Sequence, residues 1–388
     1  MSYLFPTYAR WEVTPAKAKG AWLTDINGTE FLDFTSGIAV SNLGHVPEEV
    51  KTAVERQLDL FWHTSNLFQI ELQEKVAQQL TKASGLDLVF FCNSGAEANE
   101  AAIKLARKAT GRHKIVTLKD SFHGRTFATM AATGQDKIKT GFGPMLESFE
   151  YVPMNDIEAV KSALDNKTAA VMLEVIQGEG GVNEVDTEFL QQVQQLCREN
   201  GSLFIVDEIQ TGIGRTGKAF GFQHYGLDPD IISSAKGIAN GFPLGAIIGK
   251  KELAEAFGPG SHGSTFGGNP ISLAAAEATL NIIFSDAFLQ SVEEKGERFK
   301  SLLSDALTDC SVVKKLKGKG LLLGIQLTEE AGPYVNAARE KGLLILSAGS
   351  HVIRLLPPLN ATDQEMEKAV EILTEVIKIK NQATVKNP

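Results

Sequence analysis

Four short stretches gather residue types that do chemistry only when a fold holds them. Lys236 ends the run Ile231-Ile232-Ser233-Ser234-Ala235 and is followed by Gly237. An amine at the end of such a stretch is desolvated, which lowers its pKa and makes it a usable nucleophile or base. A snorkelling surface lysine is the ordinary alternative. Asp207 ends Leu203-Phe204-Ile205-Val206. A buried carboxylate there needs a cation, and a pyridinium nitrogen would serve, kept protonated and electron-withdrawing in return. A plain cap on the next turn is the competing reading.

The third stretch is Asn93-Ser94-Gly95-Ala96-Glu97-Ala98-Asn99. Ser94 and Glu97 have capping-box spacing, and Gly95 lets the backbone approach a ligand closely. Free amides at a helix start bind anions, so phosphate is the natural occupant, with an ordinary helix cap as the alternative. The fourth is Ser121-Phe122-His123-Gly124-Arg125-Thr126. Phe122 offers a face for stacking on a ring, and Arg125 can grip a carboxylate bidentately. His123 reads as a structural histidine rather than a general base. The remaining histidines show no metal-ligand spacing, so no metal is expected.

Elements that could position these groups are legible around them. Leu88–Cys92, Ile115–Leu118, Ala169–Leu173, Leu203–Val206 and Ala246–Ile248 are short continuous apolar runs, as in a parallel sheet covered on both faces. Thr187 to Asn200 places Phe189, Leu190, Val193, Leu196 and Cys197 on one stripe and stops at Gly201. Alternating strands and helices predict an α/β cofactor-binding domain over 46–275. Residues 276–388 are expected to form a smaller α+β domain, joined by the segment 1–45. Lys236 follows Asp207 by one predicted helix and strand, so both can face one crevice.

Composition excludes several classes. The net charge of −9 argues against a nucleic-acid or anionic-membrane surface. No apolar run spans a bilayer, and the N-terminus lacks the pattern of a signal peptide. Cys92, Cys197 and Cys310 are scattered without a C-x-x-C pair, which suits a reducing compartment and a cytoplasmic location.

The order phosphate cup, aromatic with arginine, acidic strand end, then lysine resembles the fold-type-I pyridoxal-phosphate enzymes. Glu208-Ile209-Gln210-Thr211-Gly212-Ile213-Gly214-Arg215-Thr216-Gly217 with Ala235-Lys236-Gly237 is similar to the signature of class-III aminotransferases. The resemblance runs from about Asp33 to Arg354. It implies that Lys236 carries pyridoxal 5'-phosphate as an imine, that Asp207 pairs with the ring nitrogen, and that Gln210 bonds the phenolic oxygen. Phe122 would stack on the ring. Ser94, Gly95 and Ala96 would hold the phosphate, with Thr265 added from a neighbouring subunit of a homodimer. Arg125 and Ser264 would contact the substrate. Arg354 would take the α-carboxylate of glutamate or 2-oxoglutarate, and Glu179 would cover Arg354 when the other substrate is bound.

Ser36-Gly37-Ile38-Ala39-Val40, His63–Phe68 and His262–Pro270 are most similar to the branch of the class that acts on N-acetylornithine. This implies ping-pong transfer of its δ-amino group to 2-oxoglutarate in arginine biosynthesis. Succinylornithine, ornithine and 4-aminobutyrate stay open as donors, as do an aminomutase and a non-catalytic cofactor-binding protein. Two departures from the family pattern bear on loop geometry. Gly44-His45-Val46-Pro47 lacks a second histidine, and Val175 stands where a proline is common.

Overall fold

The computed structural model describes residues 2–386. Its centre is a seven-stranded sheet in the order Leu88–Cys92, Gly245–Gly249, Ile231–Ser234, Leu203–Asp207, Thr168–Leu173, Lys114–Leu118, Phe149–Val152. The apolar runs that predicted strands all lie in this sheet. Thr168–Leu173 and Ile231–Ser234 are buried along their whole length, which is why they read as continuous rather than alternating. One strand departs from the parallel expectation: Gly245–Gly249 runs antiparallel to both of its neighbours. The other six share one direction, so their carboxyl ends meet along a single edge.

Helix Gly95–Thr110 starts as its sequence predicts. The Ser94 side chain accepts from the Glu97 amide at 3.2 Å, and the Glu97 carboxylate accepts from the Asn93 amide at 2.9 Å. Helix Thr187–Asn200 ends at Gly201, whose φ of 65° is the left-handed cap that glycine supplies without strain.

A second, antiparallel sheet joins Val313–Lys319, Leu322–Leu327, Val352–Leu355 and Leu346–Ala348. A third ties the chain's two ends together, because Glu30–Asp33 pairs in parallel with Leu343–Leu344. Arg215 links all these parts from a fully buried position. Its Nη1 donates to the carbonyls of Leu321 (3.1 Å) and Pro357 (2.6 Å), and its Nη2 to Asn42 Oδ1 (2.6 Å). Burial pushes its guanidinium down to about 9.

Four consecutive residues, Ser36 to Ala39, have φ between 46° and 67°. Such a left-handed run is costly for L-residues and needs outside support. Asp33 supplies it by accepting from the Thr35 amide (2.8 Å), the Thr35 hydroxyl (2.6 Å) and the Ser36 amide (3.2 Å). The altered loop is anchored to the same group, with His45 Nε2 at 2.9 Å from Asp33 Oδ2. Val175 is buried without exposure and packs against Gly221. Among the described residues no single helix is long and apolar enough to cross a membrane.

Candidate active site

Five of the parallel strands deliver the chemistry-bearing residues to one edge. Asp207 is the last residue of its strand, and its register partner Ser233 lies three residues before Lys236. Glu174 directly follows Thr168–Leu173, the Ser121–Arg125 stretch follows Lys114–Leu118, and Asn93 to Ala96 follow Leu88–Cys92. These groups line one cavity of about 420 Å³ that holds Ser94, Gly95, Ala96, Phe122, Arg125, Glu179, Asp207, Gln210 and Lys236. That volume suits a cofactor-sized ligand.

Asp207 is the most heavily bonded group there. Its Oδ2 accepts from Asn99 Nδ2 (2.8 Å) and His123 Nδ1 (2.7 Å), and its Oδ1 from the Ile209 amide (3.1 Å) and Ser233 Oγ (3.3 Å). His123 is wholly buried. Burial opposes its charged form, but the bond to Asp207 and that carboxylate's charge outweigh burial and raise its pKa above the ordinary value. Its Nε2 is buried without a partner. The histidine expected to be structural is therefore tied directly to the site's carboxylate. Lys236 is fully buried with a φ of 49°, and burial pushes its amine below the ordinary lysine value against the opposing charge of Glu179.

Arg354 does not itself line the cavity: it is 2% exposed behind two residues that do, its Nη1 donating to Glu179 Oε1 (2.6 Å) and Gln210 Oε1 (3.1 Å). Burial would raise Glu179, but the adjacent Arg354 charge holds its carboxyl below the usual range. Arg125 is exposed at the rim, its guanidinium 5.7 Å from the centre of the Phe122 ring. Ser264 and Thr265 are not brought into the cavity. Ser264 Oγ accepts from Asn93 Nδ2 at 3.0 Å just outside it, and Thr265 is exposed.

The residues fit a phosphorylated pyridine. The Glu97 amide is capped by Ser94, but the amides of Gly95 and Ala96 have no carbonyl of their own helix to bond and can take a phosphate. A Cβ on Gly95 would stand 2.7 Å from the Ile209 side chain, so a larger residue would crowd this end of the cavity. Asp207 lines the same cavity from a strand terminus.

Sequence reasoning missed two polar residues that the structure adds. Asn99 lies one turn into the phosphate-side helix and holds Asp207. Glu174 is 6% exposed and accepts from the Phe122 amide (3.1 Å) and more loosely from the Gly178 amide (3.4 Å). Burial pushes its carboxyl up to about 7, with the His123 charge opposing. Its position just past a buried strand is the same signal that singled out Asp207, and could have found it.

Comparison with known proteins agrees with this geometry. Residues 6–377 match the family model for aminotransferase class-III. The acetylornithine aminotransferase of Halalkalibacterium halodurans is 61% identical over 377 residues, covering 97% of this chain and 98% of that protein. The solved N-acetylornithine aminotransferase of Stenotrophomonas maltophilia superposes with a TM-score of 0.85 at 34% identity, covering 97% of this chain and 98% of that one. An ornithine aminotransferase from Toxoplasma gondii, described with partial occupancy of PLP at its active site, superposes with a TM-score of 0.93 at 31% identity, covering 98% and 94%. The chain that folds its buried lysine, strand-end carboxylate and helix-start amides into one cavity belongs to the class-III aminotransferases, a pyridoxal-phosphate-dependent family.

Proposed function

We propose that this chain transfers the δ-amino group of N-acetylornithine to 2-oxoglutarate, giving N-acetylglutamate 5-semialdehyde and glutamate. The observation that carries the reading is the buried Lys236 amine, in one cavity with Asp207 and with Glu179, which holds the buried Arg354 just behind the lining. Relatives named acetylornithine aminotransferase at 61% and 58% identity support the choice of donor.

Pyridoxal phosphate supplies an aldehyde that condenses with amines and a protonated ring that accepts the electron pair left when a substrate carbon loses its proton. The chain does the rest. Amides of Gly95 and Ala96, with the Ser94 side chain, hold the phosphate. Phe122 and Gln210, which line the cavity, would hold the ring, Phe122 by stacking and Gln210 by a bond to its phenolic oxygen. Asp207, fixed by Asn99 and His123, holds the proton on the ring nitrogen. Lys236, whose lowered pKa favours the neutral amine, takes the proton from the δ-carbon of the donor and later returns one to the keto carbon of the acceptor.

Arg125 at the rim grips the carboxylate of N-acetylornithine, with Ser264 nearby. Glu179 neutralises Arg354 while that donor is bound, then releases it to take the carboxylate of 2-oxoglutarate. The exposed Thr265, outside this chain's own cavity, would reach the phosphate of a second subunit, so the working form is a homodimer with shared sites. Three buried, free cysteines, Cys92, Cys197 and Cys310, support a reducing, cytoplasmic location.

The test is a half-reaction without keto acid. The loaded protein is titrated with N-acetylornithine, succinylornithine, ornithine and 4-aminobutyrate while its visible absorbance is followed. Bleaching at the lowest concentrations by N-acetylornithine is expected. Preference for free ornithine or 4-aminobutyrate would overturn the donor.

A further inference from the structure

We propose that Glu174 is a positioning residue that yokes the loop carrying Phe122 and Arg125 to the loop carrying Glu179, and so balances the two half-reactions. The inference deepens the reading above and rests on it.

The geometry is specific. Glu174 leaves the carboxyl end of the Thr168–Leu173 strand and lines the same cavity as Lys236. Its two oxygens go to different loops. Oε2 accepts from the Phe122 amide at 3.1 Å, and Oε1 from the Gly178 amide at 3.4 Å. Gly178 is held in turn against Gln210, since a Cβ on it would lie 2.1 Å from Gln210 Oε1. That same oxygen accepts from Arg354 Nη1 at 3.1 Å, and Glu179 accepts from Arg354 at 2.6 Å. The path from Glu174 therefore ends at the pair that must open for the dicarboxylate and close for the acylated donor. A buried carboxyl group is costly unless its oxygens are bonded, and here each oxygen accepts from a different functional loop.

The substitutions separate the two arms. In Glu174→Gln the amide keeps one oxygen for the Phe122 amide but turns an N–H towards the Gly178 N–H, so only the Glu179 loop loses its anchor. Closure over Arg354 weakens and the donor half-reaction suffers, whereas the dicarboxylate half-reaction needs Arg354 open and is spared. Losing one hydrogen bond to a charged acceptor corresponds to a change of about tenfold. In Glu174→Ala both arms are lost and Phe122 shifts on the ring.

The experiment measures kcat/KM separately for the N-acetylornithine and 2-oxoglutarate half-reactions by single-turnover absorbance, with circular dichroism of the bound cofactor and its Kd for the apoenzyme. Glu174→Gln is expected to lower the donor-to-acceptor ratio about tenfold, with cofactor Kd and dichroism unchanged. Glu174→Ala is expected to lower both half-reactions and alter the dichroism. A lower thermal midpoint with the ratio unchanged, or equal loss in both halves of Glu174→Gln, would overturn the proposal. Should Glu174→Gln fail to fold, Glu174→Asp, which keeps the charge but withdraws it by one methylene, is read by the same ratio. A wild type that prefers another donor would overturn the substrate reading alone, and the ratio is then taken with that donor.

Discussion

Gly245 opens the antiparallel strand and lies against the chain where Cys92 turns into the phosphate-side helix. A Cβ there would stand 2.4 Å from the Ser94 carbonyl oxygen, 2.8 Å from its carbon and 2.9 Å from Cys92 Sγ, against 3.4 Å for ordinary contact. The shortfall at the oxygen is 3.4 − 2.4 = 1.0 Å, and the nearest atoms are backbone rather than a flexible side-chain tip. Gly245→Ala must therefore displace the Ser94 peptide, and the amides of Gly95 and Ala96 move with it. A misplacement of about 1 Å costs a positioning group on the order of a hundredfold. Losing one charge-assisted bond to phosphate, worth about 1.5–3 kcal/mol, gives a similar figure.

The assay is titration of the apoenzyme with pyridoxal phosphate, with inorganic phosphate as competitor. Gly245→Ala is expected to raise the cofactor Kd roughly a hundredfold and to weaken phosphate competition as well. Gly332→Ala, at a helix start with nothing within 4 Å of the added Cβ, serves as the control and should leave both unchanged. A Gly245→Ala protein that binds cofactor and phosphate as the wild type does would refute the phosphate cradle at Gly95 and Ala96.

Glu208 accepts from Thr211 Oγ1 and the amides of Gly221 and Phe222, yet burial pushes its carboxyl to about 7 from an ordinary 4.5. Its folded pKa is raised, so its contribution is full below the unfolded value and is lost as pH rises through about 7, a span of about 3 kcal/mol. Glu208→Gln should thus show a shallower fall of thermal midpoint between about pH 5 and 8 than the wild type. Equal slopes would contradict this, although Glu174 adds a second term of the same sign to both proteins. Glu179→Gln should cut the N-acetylornithine half-reaction about tenfold or more while sparing 2-oxoglutarate, because Arg354 loses its cover. Stopped-flow rates that fall equally for both substrates would count against the covered-arginine reading. Arg215→Met leaves three buried acceptors without a donor, so denaturant titration should find a loss of at least about 3 kcal/mol; an unchanged midpoint would refute its role as the tie between the sheets.

Much of this arrangement was legible because it rests on local chemistry. Apolar runs bounded by glycine and polar residues became strands, and Gly201 marked a helix end because only a left-handed residue fits there. Lys236, Asp207, Phe122 and the Ser94 turn stand out in the sequence because each follows an apolar run, and the fold brings them to one cavity. Strand direction is not legible, since Gly245–Gly249 reads as a short buried apolar run like the strands to which it turns out antiparallel. Nor was the left-handed run from Ser36 to Ala39, where the support comes from Asp33 and from a bond of Ser36 Oγ to the distant Leu356 carbonyl (2.6 Å). The partnership of His123 with Asp207 joins residues 84 positions apart, and local spacing carries no trace of such a contact. Glu174 carries the same strand-end signal, but as a lone carboxylate after Leu173 it is less conspicuous than the Asp207-Glu208 pair.

The central claim is that Lys236 is the residue that holds the cofactor covalently. The protein loaded with pyridoxal phosphate can be reduced with borohydride, digested and mapped by mass spectrometry. A phosphopyridoxyl group on the peptide containing Ser233-Ser234-Ala235-Lys236, and its disappearance in Lys236→Ala, is the expected result. Label on a different lysine, or a loaded protein that takes no label at all, would contradict the account.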